Sequence, residues 1–440
     1  MGWYPQRGDT VVDRDGTHFE LREPLAEGGQ GIVFTTQAVG AAVKISTTHR
    51  DAEGRAGIER QLRRVARLPI GDLPVALPRH TLREPAVGYT MSLLTGMMPV
   101  GSLAQPETKA DLVSWFVRTG GLRKRFSAIE SLATMFASLH ARGLVYGDLN
   151  GDNAMVSAHP RRARVFLIDL DNLQSAELPA RRIYTVPFAA PEQPETGATQ
   201  LSDTFSLAVL VFAILAASNP FDGQIFDRLP PEAYRDARRP YADQVAWIDD
   251  PGDDRNRGVR GLPRNVVATP RLRSLFRQAF VEGRHEPNLR PAAGTWARAA
   301  RAARLATANC RQCGWDNFAT AATCAECDLQ LHHEGFRLLE FEGRHTHPYP
   351  LCPYVLLDNG VRDLPAAALG FAEAAGSERA VRLERRPEGV VIELLHPDIQ
   401  FDARPATRST TVGPGDHVVL RRTRRSPLVL SPLGSPHGSR

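Results

Sequence analysis

Three short strings in fixed order within residues 25–171 constrain this chain more than any other feature. The first is Leu25-Ala26-Glu27-Gly28-Gly29-Gln30-Gly31-Ile32-Val33-Phe34, followed by Ala42-Val43-Lys44. Glycines between two apolar runs predict a strand–turn–strand whose backbone N–H groups approach a polyphosphate closely. The lysine at the end of the next run supplies a compact point charge for the same anion. Only three of the 54 basic residues are lysines (Lys44, Lys109 and Lys124). A lysine kept in so arginine-rich a chain is therefore informative. The second string is Leu144-Val145-Tyr146-Gly147-Asp148-Leu149-Asn150-Gly151-Asp152-Asn153, and the third is Phe166-Leu167-Ile168-Asp169-Leu170-Asp171. Asp148 can orient the proton of an attacking hydroxyl, and the Asn153 amide oxygen can ligate a metal on the phosphate. Asp169 ends an apolar run, which delivers a carboxylate to a strand end. Magnesium favours one or two carboxylates plus phosphate oxygens.

Periodicity supplies the framework. Residues 10–45 alternate as strands, and 51–68 have helical spacing with Ile58, Leu62 and Val65 on one face. Glu59 on that helix is expected to pair with Lys44. Helices are predicted at Ser127–Arg142 and Ser202–Ala217, with two more in 270–304. The Asp-, Arg- and Pro-rich stretch 222–264 reads as an irregular surface insert.

With these motifs placed, the chain resembles the eukaryotic-type (Hanks-type) protein serine/threonine kinases over roughly residues 10–304. Gly28 and Gly31 match the second and third glycines of the Gly-rich loop, with Gly29 between them, while Ala26 replaces the first. The resemblance implies a bilobal α+β kinase fold that binds ATP and magnesium. It assigns Lys44 and Glu59 to the strand–helix ion pair and Asp148 to the catalytic aspartate. Asn153 and Asp169 become magnesium ligands, and Val33, Met91 and Leu93 line the adenine site. Ala190-Pro191-Glu192 matches the APE motif, and Thr185 the threonine that contacts the catalytic aspartate. Asp203 matches the anchor of the catalytic loop, and Arg290 the partner of the APE glutamate. Three departures bear on mechanism. Tyr146-Gly147-Asp148 lacks the arginine that receives a phosphorylated activation loop, so activity without such phosphorylation is expected. Leu170-Asp171 replaces Phe-Gly. Asn150 stands in place of the lysine that stabilises the transferring phosphoryl group, which is expected to slow chemistry. A small-molecule kinase of the aminoglycoside-phosphotransferase type and an ATP-binding pseudokinase scaffold remain alternative readings.

Behind this region, Cys310-x2-Cys313 and Cys324-x2-Cys327 have the spacing of a tetrahedral Zn2+ ribbon. The cluster also resembles the Ran-binding-protein type of zinc finger through Asn317, although Trp315 lies inside the loop. Its simplest role is to cap the second lobe. Residues 335–423 read as a β-rich binding module, and the Pro-, Ser- and Arg-rich tail 425–440 as disordered. The expected limits are 10–95 and 96–304 for the two lobes, and 306–331 for the ribbon. The layout resembles kinases of tellurium-resistance-type systems, which implies a protein substrate such as a von Willebrand type A protein or a metal-dependent phosphatase.

Net charge is only +5, spread along the chain, so a nucleic-acid groove is not expected. The longest apolar run, Leu207–Ala217, is too short to cross a bilayer. Paired cysteines and a polar start after Tyr4 lead to the expectation of a cytoplasmic protein.

Overall fold

The computed structural model describes all residues except 1–2, 29–30, 48–51, 107–110, 229–238, 259, 343–344, 358–359, 372–378, 403–406 and 434–440. The first lobe is an antiparallel sheet of six strands in the order β1-β2-β3-β4-β6-β5. These are β1 (Thr10–Val12), β2 (His18–Gly28), β3 (Gly31–Thr36), β4 (Ala41–Ser46), β5 (Pro78–Thr81) and β6 (Gly88–Ser92). Alternation buries Ile32, Phe34, Val43 and Ile45 in one small core. Helix α1 (Ala52–Val65) lies between β4 and β5.

The second lobe is helical. Helix α2 (Leu112–Arg118) leads into α3 (Gly121–Ala141), which starts six residues earlier than its apolar register alone predicts. Helix α4 is the single turn Gln193–Thr196, and α5 spans Gln200–Ala216. A capping box between Thr199 and Ser202 starts α5, and nearly all of its side chains are buried. Against this core lie short strands that carry or flank the second and third strings: β7 (Met97–Pro99), β8 (Leu144–Val145), β9 (Ala154–Ser157), β10 (Val165–Leu167) and β11 (Gln174–Ser175).

Part of the stretch expected to be an irregular surface insert is core instead. Val245, Ala246, Trp247 and Ile248 are buried, and the Trp247 ring packs on Phe212 and Phe280 at 6.2 and 5.7 Å. Four consecutive apolar residues within a charged stretch decide this, because burying them outweighs the local polarity.

The cysteine module shares the core of the second lobe. Cys310, Trp315 and Cys324 belong to the same apolar cluster as α3 and α5. Beyond it, the helix Ala293–Leu305 ends in Leu305, which is buried in the core of the β-domain. The β-domain has two sheets. The segment expected to begin a disordered tail is a strand, Arg425–Pro432. It pairs on one side with Gly335–Glu342 and on the other with Val418–Arg422. Leu428 and Leu430 are fully buried there, and their alternation is hidden by flanking Pro, Ser and Arg. The rest of the expected tail, 434–440, lies outside the described residues. The fold is thus α+β and bilobal, followed by the cysteine module and a β-rich domain.

Candidate active site

Sheet register gathers one wall of the site. Val33 pairs with Lys44 across β3–β4, Lys44 with Tyr89, and Ala42 with Met91 across β4–β6. Directly opposed residues share a face, as do residues two apart on a strand. Val33, Lys44, Tyr89 and Met91 therefore line the same side of the sheet. Gly28 and Gly31 form the last pair of the β2–β3 hairpin, and Gly29 lies outside the described residues. The Leu93 amide donates to the Gly40 carbonyl at 2.9 Å, so it is engaged within the lobe.

The opposite wall is the loop after β8. Asp203, in the first turn of α5, accepts the Tyr146 and Gly147 amides at 2.8 Å each and contacts His140 Nε2 at 3.2 Å. Thr185 Oγ1 donates to Asp148 Oδ1 at 2.8 Å, and Asn150 Nδ2 donates to Thr185 Oγ1 at 3.0 Å. Asn150 Oδ1 accepts the amides of Asp152 and Asn153, and Asn153 Nδ2 donates to the Asp148 carbonyl at 2.9 Å. Asn150 therefore organises the loop by hydrogen bonds, at the position where the kinases it resembles carry a lysine. Burial pushes the Asp148 carboxyl above its ordinary range, while the Thr185 hydroxyl pulls the other way.

Asp169 follows β10 with a left-handed backbone, φ 55°. Its carboxylate meets Lys44 Nζ at 2.8 Å. The donors near it suit magnesium: Asp169 offers carboxylate oxygens and Asn153 an amide oxygen, both hard ligands. The side chain of Asp171 lies outside the described residues.

Glu59 does not pair with Lys44. It accepts from Arg14 Nη2 at 2.6 Å, with Arg63 at 3.9 Å. The reason is helical phase. Gln61 of α1 faces the site and donates to the Leu170 carbonyl at 3.1 Å. Two residues rotate a helix by about 200°, so Glu59 points away, toward the turn between β1 and β2.

Two contributors have no local sequence signal. The Tyr146 hydroxyl donates to the Ile168 carbonyl at 2.5 Å and lies 3.2 Å from the Asn153 carbonyl, tying the loop after β8 to the strand before Asp169. Gln193 Nε2 donates to the carbonyls of Gly147 and Ile183. Further out, Arg290 forms a two-pronged pair with Glu192, both contacts at 2.7 Å.

The four cysteine sulfurs all lie within 4.8 Å of one another. Cys310–Cys327 and Cys313–Cys324 are 3.7 and 3.5 Å apart. Zinc–sulfur bonds of about 2.3 Å in a tetrahedron require sulfurs ~3.8 Å apart, so the cluster has room for that ion. Asp316, between the two CxxC pairs, accepts the Arg123 amide and its Nε, both at 3.1 Å. Gly121 allows this approach: its φ is +62°, and a Cβ there would sit 2.4 Å from Asp316 Oδ2.

No protein-family model matches the chain. Among curated proteins, the serine/threonine-protein kinase pkn2 of Myxococcus xanthus is 25% identical over 218 residues, 47% of this chain and 25% of that protein. Protein kinase YegI of Escherichia coli (strain K12) is 25% identical over 262 residues, 50% of this chain and 35% of that protein. Ribosomal protein S6 kinase alpha-2 of Mus musculus is 27% identical over 228 residues, 48% of this chain and 28% of that protein. The chain thus spans between 25% and 35% of the length of these relatives. A solved structure of ROP2 from Toxoplasma gondii, described as a virulence factor with a protein-kinase fold and no enzymatic activity, aligns with a TM-score of 0.45 at 16% identity. That alignment covers 66% of this chain and 82% of that one. The ordered motifs, the two-lobed architecture and these relatives, all named as kinases, support a kinase of the eukaryotic (Hanks) type over about half of the chain.

Proposed function

We propose that the chain is an ATP- and magnesium-dependent kinase that phosphorylates Ser or Thr of a protein partner. The observation that carries this reading is the Asp148 carboxylate, fixed by Thr185 and backed by Asn150. Asn153 sits in the same loop, and the Lys44–Asp169 pair lies at the end of β10. Asp148 would orient the substrate hydroxyl for in-line attack on the γ-phosphorus. The P–O bond to the β-phosphate breaks as the new ester forms, and the hydroxyl proton passes to Asp148 or solvent. Asp169 and Asn153 would hold magnesium, which neutralises charge on the phosphates. Lys44 would turn from Asp169 toward the phosphates. The Gly28–Gly31 hairpin would cover them, and Val33 and Met91 would flank the adenine. Zinc in the four-cysteine set would be structural, since four thiolates leave no open position. CxxC cysteines that hold a metal rather than form disulfides fit a reducing, cytoplasmic setting. A von Willebrand type A protein or a metal-dependent phosphatase is a partner to try first.

The test is incubation with γ-labelled ATP and magnesium, offering a Ser/Thr peptide library and, separately, aminoglycosides. Label on peptides supports the reading. Label only on aminoglycosides contradicts it, and nucleotide binding without transfer leaves the scaffold.

Two outcomes follow from the geometry. Glu59→Gln should change the transfer rate by no more than about fivefold, because an exposed pair such as Arg14–Glu59 contributes about 0–1 kcal/mol; steady-state rates check this. The second concerns pH. Asp148 acts deprotonated, so transfer should fall as pH drops through its raised pKa. The acidic limb of kcat/KM should lie above the ~3.9 of an ordinary aspartate. Thr185→Ala removes a hydrogen bond to the charged form and should move that limb to higher pH.

A further inference from the structure

We infer that Gln193 is a positioning residue that docks the segment 170–192 onto the catalytic loop, doing by neutral hydrogen bonds what the absent loop arginine would do through a phosphate. The inference rests on the kinase reading and names the device that sets its substrate-facing segment.

The place of the missing arginine is Gly147. Its φ is +91°, and a Cβ there would meet the Ala198 Cβ at 3.3 Å, so a side chain is disfavoured by both backbone and space. The Gly147 amide is committed to Asp203. Its carbonyl is taken by Gln193 Nε2 at 2.9 Å, and the same nitrogen reaches the Ile183 carbonyl at 3.0 Å. Gln193 Oε1 accepts the Ala190 amide at 3.3 Å. The residue is 1% exposed. One buried amide thus joins the catalytic loop to two points of the segment, with both donors and an acceptor in use.

Ile183 lies two residues before Thr185, whose hydroxyl holds Asp148. Anchoring the Ile183 carbonyl therefore fixes the approach of Thr185 to the carboxylate. The neighbouring contact agrees: the Ala198 amide donates to the Arg181 carbonyl at 2.8 Å. Between Asp169 and Glu192 the hydroxyl side chains are Ser175, Tyr184 and Thr185. Thr185 is already committed to Asp148, and Ser175 Oγ accepts the Glu177 amide. The segment is docked by its own backbone carbonyls, and no added charge is required.

The test uses the full chain with Gln193→Met, which keeps length and volume but donates nothing, and Gln193→Glu, which faces both carbonyls with an acceptor. Both should lower kcat by a factor of about 10–100, the cost of ångström-scale misplacement, with KM for ATP within about twofold. Hydrogen exchange should accelerate at amides 180–190 and stay unchanged in α5. Wild-type kcat in both variants would overturn the inference. So would faster exchange without loss of kcat, or equal loss of protection in α5, which would mark a purely structural residue. If the wild-type chain transfers no phosphate, the kinase reading fails, while the exchange measurement still decides whether Gln193 holds the segment.

Discussion

Glu192→Ala is expected to destabilise the second lobe by about 3–5 kcal/mol, the range for stranding one partner of a buried ion pair. The Arg290 side chain has no solvent exposure. Besides both Glu192 oxygens, it donates to the carbonyls of Gly283 and Leu201, and its guanidinium lies 4.8 Å from the Phe205 ring centre. Those contacts persist in the variant, but none carries a negative charge. Urea denaturation should show the midpoint falling with little change in slope. An unchanged midpoint would mean that water reaches the guanidinium and that the pair is not a lock on the lobe.

Emptying or breaking the four-cysteine cluster is expected to weaken the second lobe as well as the cysteine module. The Trp315 ring stacks on Phe116 with centroids 5.4 Å apart. Arg125, wholly buried, lies over that same Phe116 ring at 3.7 Å and donates to the Leu103 and Ile214 carbonyls. Burial pulls the Arg125 guanidinium down to about 9, and the Asp316 carboxylate of the ribbon works against that fall. With the cluster empty the CxxC loops lose their closure, and Asp316 is released from Arg123 and moves its charge away from Arg125. Losing the charge-assisted bonds of Asp316 to the part-exposed Arg123, together with its field at buried Arg125, costs about 1.5–3 kcal/mol, which at about 2–4 °C per kcal/mol is a drop in Tm on the order of 5 °C for the lobe. Cys324→Ser or a zinc chelator, followed by Trp fluorescence melting, measures it. A lobe that melts unchanged after the metal has been shown to leave would make the ribbon an independent module.

The parts of the site legible in the sequence lie where an apolar run ends on a polar residue. Lys44 follows the Ala41–Val43 run within β4, Asp169 follows β10, and the Asp148–Asn153 loop follows β8. Their positions are set by local chain geometry, so spacing alone locates them. Glu59 was misplaced because α1 is so arginine-rich that its apolar stripe does not fix which carboxylate faces inward, and the error is one of helical phase. Tyr146 and Gln193 act across 22 and 46 residues of sequence, and no short motif encodes such partners. The strand Arg425–Pro432 and buried Trp247 were hidden by composition. In both, a few apolar side chains sit among residues typical of loops, and tertiary packing decides. The convergence of the four cysteines was legible from their CxxC spacing. The union of their module with the second lobe depends on Asp316 and Trp315, which carry no spacing signal.

Asp148 is proposed to stand where phosphate is transferred. The direct measurement is single-turnover transfer of label from ATP to peptide by the wild-type chain and by Asp148→Asn, with nucleotide affinity measured on both. Transfer should fall by at least about 10²-fold, the usual contribution of a positioned general base, while ATP affinity stays within about threefold, since Asp148 is assigned to the hydroxyl and the nucleotide to Lys44 and Asp169. Equal transfer by the two proteins, or none by either despite bound ATP, would contradict the assignment.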